Sequence, residues 1–153
     1  LLFNIMKLAT QVRYGTRMLL DLAMHQSKGL VQMSNIASRQ NISLKYLEQL
    51  IIPIKNAGFV TSKRGARGGH SLAKRPDQIT LAQIIRVFEK ERAPKEAPDD
   101  TSNYSEHQDS LIIEAWDEAI EAFYSRLEKI TLADLSISTT QKLWKGSDLV
   151  IFT

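Results

Sequence analysis

The feature that most constrains the fold is a pair of short helix signals followed at once by a glycine-rich hairpin. Ser34 and Ser43 are favourable N-cap residues, and an amphipathic stretch follows each of them. Asn41, between the two stretches, tolerates the left-handed conformation that a tight turn requires. Two short helices joined in this way form a helix-turn-helix. The inward positions of the second helix are predicted to be Leu44, Leu47, Leu50 and Ile51.

The hairpin signal begins directly after this second helix. Pro53 is expected to kink or restart the helix, and Gly58 to end it. The β-prone runs Phe59–Lys63 and His70–Ala73 then flank Arg64–Gly69, a turn that carries three glycines and two arginines. The pattern predicts a two-stranded hairpin with a basic tip.

Further helices are predicted on both sides of this unit. One runs from an N-cap at Thr10 to about residue 26, and another follows an N-cap at Thr80. We read Met6 as the native start, so a winged helix-turn-helix domain is predicted at residues 6–92. The fold class is mainly α with a small β-hairpin wing.

Charge divides the chain into two parts. Residues 1–92 hold 15 Lys or Arg against 5 Asp or Glu, a net charge of +10, whereas residues 93–153 hold 5 against 12, a net charge of −7. A compact basic part suggests an anionic partner such as nucleic acid, although many basic surfaces have no specific partner. The boundary lies in a polar, proline-rich run, which predicts a linker or mobile loop at residues 93–104.

The composition excludes several classes of protein. The chain has no cysteine, so it has no disulfide, thiol nucleophile or cysteine-held iron-sulfur cluster. No apolar run approaches the roughly 20 residues that span a bilayer, and we expect a cytoplasmic protein without a membrane partner. His25, His70 and His107 are far apart, and no nucleophile signature accompanies them. We therefore predict no enzyme activity, no cofactor and no metal.

Beyond the linker, apolar residues recur at steps of three and four, with glutamates between them. This spacing predicts a long helix at residues 105–136, followed by a C-terminal tail at residues 137–153. The apolar stripe must be covered by the first domain or by a second copy of the chain, and we expect a homodimer. Trp116 and Phe123 could alternatively line a ligand pocket. The predicted dimer contacts are Ile112, Trp116, Ala119, Ile120, Phe123, Leu127 and Ile130.

The outward face of the second short helix has the width of a DNA major groove, and an arginine-bearing wing suits a narrow minor groove. The alternative for this helix is an ordinary solvated face. A phosphate-cradling nucleotide loop fails on spacing, because neither glycine signature of such loops is present. The residues predicted to bind DNA are Lys7, Ser43, Lys45, Tyr46, Gln49, Lys63, Arg64 and Arg67.

Several ordered motifs together resemble the Rrf2 family of bacterial winged-helix transcription regulators. The similarity covers about residues 6–136. The motifs are Met6-Lys7-Leu8, Arg13-Tyr14, the run from Ser43 to Leu50, the run from Lys55 to Val60, Arg64-Gly65 with Gly68-Gly69, and the run from Ile130 to Leu135.

The resemblance implies a homodimer whose long C-terminal helix crosses to the partner, with each third helix in a major groove and each wing near the minor groove. It also implies that Lys45, Tyr46 and Arg64 touch DNA. Glu48 matches an acidic family residue that influences which base is tolerated. Relatives that bind a cluster carry three cysteines between the fourth helix and the dimer helix, where this chain has none.

The sequence therefore predicts a homodimeric, sequence-specific regulator, a repressor that binds an inverted-repeat operator in double-stranded DNA without a cluster. Its signal is left open between a small-molecule effector, a partner protein and no signal. One alternative is a winged-helix protein-interaction module that has lost DNA binding, and a small enzyme is the other. His70 replaces the aromatic residue that usually follows the paired glycines, which is expected to alter wing packing.

Overall fold

The computed structural model describes residues 2–92 and 106–144, and within them the side chains of residues 10–90 and 111–138. The predicted linker at 93–104 and the end of the predicted tail lie outside the described residues. The elements are α1 (Leu2–His25), α2 (Met33–Gln40), α3 (Leu44–Asn56), β1 (Val60–Lys63), β2 (Gly69–Leu72), α4 (Leu81–Arg92), α5 (Glu106–Glu128) and α6 (Leu132–Trp144), with short 3-10 helices at Gln26–Lys28 and Pro76–Gln78.

Helix α1 is the central element of the core. It buries Met18, Leu19 and Leu22 completely. It begins at Leu2, so the predicted N-cap at Thr10 is wrong. Neither proline nor glycine precedes Thr10, and a threonine inside an uninterrupted helical stretch has no helix start to cap.

Helices α2 and α3 form the predicted helix-turn-helix. Asn41 has the expected left-handed conformation, with φ 51° and ψ 50°. The Ser43 hydroxyl accepts a hydrogen bond from the Tyr46 backbone N–H at 3.2 Å, as an N-cap should. The N-cap of α2 is Gln32 rather than Ser34, because the helix starts at buried Met33, two residues before the predicted start at Asn35.

Two expectations for α3 are corrected. Leu44 is 41% exposed, since at the first helical position it extends past the edge of the core. Pro53 does not end or restart the helix, which runs unbroken to Asn56. Its ring is buried, and its carbonyl still accepts from the Ala57 N–H at 2.9 Å, so only one backbone donor is missing.

The wing is an antiparallel pair in which Val60 faces Leu72 and Lys63 faces Gly69. Both strands lie within one residue of their predicted bounds. Val31 forms an isolated antiparallel bridge to β2, in which its N–H and carbonyl each bond the backbone of His70, at 2.9 and 2.8 Å. This bridge anchors the wing to the segment before α2.

Helix α4 begins with a reciprocal capping box. The Thr80 N–H donates to Gln83 Oε1, and the Gln83 N–H donates to Thr80 Oγ1, each at 3.2 Å. The helix packs Ile84 and Phe88 into the core. The predicted cap at Thr80 is confirmed.

The C-terminal region contains two helices where the sequence predicted one helix at 105–136 and then a tail. Helix α5 ends at Glu128, and α6 begins at Leu132 and continues to Trp144. A second capping box drives the restart, because the Thr131 N–H donates to Asp134 at 2.9 Å and the Asp134 N–H donates to Thr131 Oγ1 at 3.1 Å. These donors from Thr131 lower the pKa of Asp134. Leu132 then enters the core of the first domain.

Candidate nucleic-acid interface

The N-terminal turns of α3 present a polar, basic surface. Lys45, Glu48 and Gln49 are exposed, and Tyr46 is half-buried. Lys45 has no ion pair with any described residue. The structure thus brings together the α3 residues that were predicted to bind DNA, the N-cap Ser43 with Lys45, Tyr46 and Gln49, in the accessible first turns of the helix. Such a surface offers hydrogen-bond donors and acceptors to a partner.

Tyr46 is held in place by α1. Its ring meets the Tyr14 ring edge-on, with centroids 5.7 Å apart and an interplanar angle of 88°. Partial burial and the neighbouring Tyr14 raise the pKa of Tyr46, while Arg13 lowers it by less. The Tyr46 hydroxyl therefore keeps its proton at neutral pH and can donate a hydrogen bond.

Two arginines flank Tyr14. The guanidinium of Arg13 lies 4.9 Å from the ring centroid and that of Arg17 lies 5.5 Å from it, both within cation–π range. Arg17 also donates to the side chain and backbone carbonyl of Gln40, whereas Arg13 is exposed. Arg13 and Tyr14 are absent from the DNA-binding residues predicted above. The signal available in the sequence was an arginine directly beside an aromatic residue that could hold its guanidinium.

A buried carboxylate fixes the angle between α1 and α2. Asp21 is 1% exposed, and its two oxygens accept from Arg39 Nε at 3.0 Å and Arg39 Nη2 at 2.5 Å. Gln40 Nε2 donates to the same carboxylate at 2.9 Å, and His25 Nδ1 lies 3.5 Å from it. A charge this deep is tolerated because every oxygen has partners. This network positions the helix-turn-helix on α1.

The wing turn exposes three cations. Lys63, Arg64 and Arg67 are accessible, and none of the three pairs with an acidic side chain in the described parts of the chain. Gly65 has φ 111°, and a Cβ at Gly68 would lie 2.2 Å from the Lys63 carbonyl oxygen. Only glycine fits at these positions, so the tight turn that carries the arginines depends on them.

His70 lies opposite Ser62 in the wing, one position from the turn, and the strand pairing is regular on both sides of it. Its Nδ1 lies 2.8 Å from the Ser62 hydroxyl across the two strands. Burial and the charge of Lys55 lower the pKa of His70, so the ring is neutral at neutral pH. Lys7, the remaining residue predicted to bind DNA, lies in α1 at a position whose side chain is not described.

Helix α5 is attached to α4 by polar contacts. Burial, and then the hydrogen bond that Tyr124 donates to Glu89, raise the pKa of Tyr124 to about 12. Arg86 pairs with Glu128 at 3.1 Å and lies 4.6 Å from the Tyr124 ring centroid. This edge of α5 therefore faces the first domain.

The predicted apolar stripe of α5 is largely uncovered. Trp116 is 67% exposed and Phe123 is 54% exposed; Ile112, Ala119 and Ile120 are also exposed, while Leu127 and Ile130 are half-buried. Ile130 lies beyond the end of α5, in the turn where its carbonyl accepts from the Leu81 N–H. The first domain thus does not cover the stripe.

Comparison with known proteins identifies the family. The profile of the Rrf2 family, described as an iron-dependent transcriptional regulator, matches residues 8–137. The chain belongs to the Rrf2 family. The protein Rrf2 of Nitratidesulfovibrio vulgaris is 44% identical over 85% of this chain and 87% of its own length.

Two solved structures are also similar to this Rrf2-family chain. The structure of T. potens IscR is 35% identical, covers 85% of both chains and has a TM-score of 0.66. The structure of CymR, described as the global cysteine regulator of B. subtilis, is 38% identical, covers 84% of this chain and 95% of its own, and has a TM-score of 0.62. These likenesses confirm the predicted family and winged-helix fold, and the relatives are regulators rather than enzymes.

The iron named in the family description does not fit the residues of this Rrf2-family chain. Iron-sulfur clusters are held by cysteine thiolates, and the chain has no cysteine. In the described ranges 2–92 and 106–144, no group of three or more His, Asp and Glu side chains could hold a metal ion. None of the helices searched in those ranges is long and apolar enough to cross a membrane.

Proposed function

We propose that the protein is a sequence-specific transcription repressor that binds double-stranded DNA as a homodimer. The observation that carries the proposal is the exposed, unpaired set of cations on the wing and at the start of α3, beside a protonated and oriented Tyr46. A surface of this kind suits a polyanion whose grooves also present hydrogen-bonding base edges.

In the proposed complex, the N-terminal turns of α3 enter the major groove. Lys45 contacts a phosphate or a guanine, and Gln49 can pair with an adenine edge. Tyr46 donates its hydroxyl hydrogen to a base or a phosphate, and Glu48 influences which base is accepted. The Ser43 cap supports this role indirectly, because it holds the first turn of the helix in shape.

The wing acts as a second contact. Arg64 is proposed to enter a narrow minor groove, where the enhanced negative potential favours a guanidinium. Arg67 and Lys63 neutralise neighbouring phosphates. The glycine turn lets the backbone approach the duplex closely, since no side chain projects from Gly65 or Gly68.

Dimerisation is proposed through the apolar face of α5. Exposed residues of this size in a continuous helical stripe usually mark an interaction surface. A second copy of the chain would cover Trp116 and Phe123 with the same residues of its own helix. A two-fold dimer then requires an operator with two-fold symmetry.

The proposed repressor acts in the cytoplasm and needs no iron-sulfur cluster, because the chain lacks the thiolates. With a cluster excluded, three options stay open for its regulatory signal: a small-molecule effector, a partner protein, or no signal. Binding of such a dimer over a promoter would exclude polymerase.

The test begins with genomic fragments retained by the purified protein. Footprinting should reveal an inverted repeat whose half-site centres are separated by roughly 10 bp or a multiple of that spacing. Saturating protection of a single asymmetric half-site would contradict the dimer. Failure to retain any fragment over scrambled DNA would favour the protein-interaction module.

Tyr46 and Arg64 test the reading face. Tyr46→Phe keeps the ring packing against Tyr14 and removes only the hydroxyl, so a base reader should lose about 1 to 3 kcal/mol on the cognate site alone. Arg64→Ala should lose affinity for the cognate site more than for scrambled DNA. Equal losses on the two DNAs would show that neither residue determines specificity.

A further inference from the structure

A cavity of about 510 Å³ lies where the end of α3, the start of the wing and α4 meet. Its polar lining includes three cations, Lys74, Arg86 and Lys90, and two amides, Asn56 and Gln83. No acidic residue lines it among the described side chains. The volume lies in the range of about 300 to 1,000 Å³ that small-molecule sites occupy.

The two lysines of this cavity are available to a ligand. The Nζ atom of Lys74 lies 4.8 Å from the ring centroid of Phe59, and it has no carboxylate partner among the described residues. Lys90 likewise has no ion pair with any side chain that the structure describes, and both lysines are exposed. Cations that converge without a counter-charge raise the local concentration of anions.

The amides add directional contacts. Gln83 uses its Oε1 atom to accept from the Thr80 N–H, which leaves its two amide hydrogens as donors. The remaining lining is apolar and includes Pro53 and Val87. A ligand with an anionic group and a short carbon body would match both parts.

Arg86 connects the cavity to α5. It lines the cavity, yet its guanidinium also pairs with Glu128 and stacks on Tyr124. An anion in the cavity would therefore compete with Glu128 for the same guanidinium. This competition links the cavity to the helix that carries the proposed dimer face.

We propose that this cavity is a binding site for a small organic anion, a carboxylate or phosphate ester, held by Lys74, Lys90 and Arg86 in competition with Glu128. Its effect on DNA affinity rests on the proposed function. In the proposal, the bound anion shifts α4 against α5 and so changes the affinity of the protein for its operator. Because such coupling is reciprocal, bound DNA then changes the affinity for the anion by the same factor.

The anion is not a phosphate of the DNA bound at the start of α3. The cavity lies at Asn56, and α3 rises about 1.5 Å per residue, which places it roughly 18 Å along the helix from Leu44. The cavity therefore adjoins the last turns of α3, whereas Ser43, Lys45 and Tyr46 lie at its start.

The direct test is calorimetric titration of the full chain with succinate and with inorganic phosphate, at ionic strength matched with KCl. We expect saturable binding of at least one probe. Lys74→Gln and Lys90→Gln should each weaken it about tenfold, since each removes one charge-assisted contact. Lys28→Gln, an exposed lysine outside the cavity, is the matched control and should bind as the wild type does.

Glu128→Gln tests the competition. It releases Arg86, so anion binding should tighten about two- to five-fold, the range expected for a partly exposed ion pair. Thermal melts of each variant verify folding. Absence of saturable binding of both probes, equal weakening in Lys28→Gln, or unchanged affinity in Glu128→Gln would overturn the proposal.

A DNA titration separates this site from the proposed function. If Lys74→Gln and Lys90→Gln lowered operator affinity and its salt dependence with no anion present, the cavity cations would be DNA contacts and the proposal would be wrong. If the wild type bound anion but no DNA, the proposed function would fail while the anion site stood.

Discussion

Arg13→Ala is expected to weaken DNA binding in a salt-dependent manner. Arg13 is exposed, and its guanidinium lies over Tyr14, whose ring contacts Tyr46 at the start of α3. This stack places a positive charge beside the proposed reading face. A DNA phosphate next to the major-groove contact would therefore meet the Arg13 side chain.

The magnitude follows from counterion release. Each cation that neutralises a phosphate contributes about −0.9 to the slope of log affinity against log salt concentration. The dimeric variant loses two such contacts, so its slope should be less negative than that of the wild type by about 1.8. If wild type and Arg13→Ala bind equally at about 1 M salt, the variant binds about 60-fold more weakly at about 0.1 M and about 20-fold more weakly at about 0.2 M.

Fluorescence anisotropy titrations of a labelled operator at several KCl concentrations measure the two slopes. Arg75→Ala is the matched control, because it removes one exposed arginine whose charge is already paired with Asp77 at 2.6 Å. We expect the control to keep the wild-type slope. An unchanged slope for Arg13→Ala, or the same reduction in both variants, would refute the placement of Arg13 on a phosphate.

Four further outcomes are expected. Phe123→Asp should give monomer or aggregate in sedimentation, because it puts a charge in the apolar face of α5, and a clean dimer would place the contact elsewhere. Asp21→Asn should lower the free energy of unfolding in urea by about 2 kcal/mol, since it removes the charge that Arg39 binds, whereas loss of the exposed carboxylate in Asp77→Asn should cost less than about 1 kcal/mol. The lowered pKa of His70 means that the folded state favours the neutral ring. The stability that His70 contributes is therefore intact above about pH 6.5 and is lost as the pH falls through the lower pKa of the folded state. His70→Gln should reduce this loss of stability at low pH, and identical pH profiles of the variant and the wild type would contradict the prediction. The purified protein should be colourless and keep its DNA affinity after iron chelation, and a stoichiometric visible cluster after anaerobic purification would contradict this.

The local sequence determined the start of α3 and of α4, the turn before α3 and the wing. Ser43, Thr80 and Asn41 were identifiable as caps and turn because each acts on backbone groups within a few residues of itself. The glycines of the wing were identifiable for the same reason, since their steric requirement is set by the adjacent chain. The capping box at Thr131 and Asp134 is equally local. The prediction of one continuous helix at residues 105–136 missed it, because the apolar spacing extends past Glu128 to Ile130.

The tertiary structure decided what depends on contacts between distant segments. Pro53 stays inside an unbroken helix because its ring is buried, and Asp21 holds a charge because Arg39 and Gln40 reach it from another helix. The stack of Arg13, Tyr14 and Tyr46 joins residues more than thirty positions apart. The cavity between α3 and α4 exists only once those helices pack. Periodicity and capping report the neighbours of a residue along the chain, whereas burial, ion pairing and cavities depend on neighbours that only the folded chain supplies.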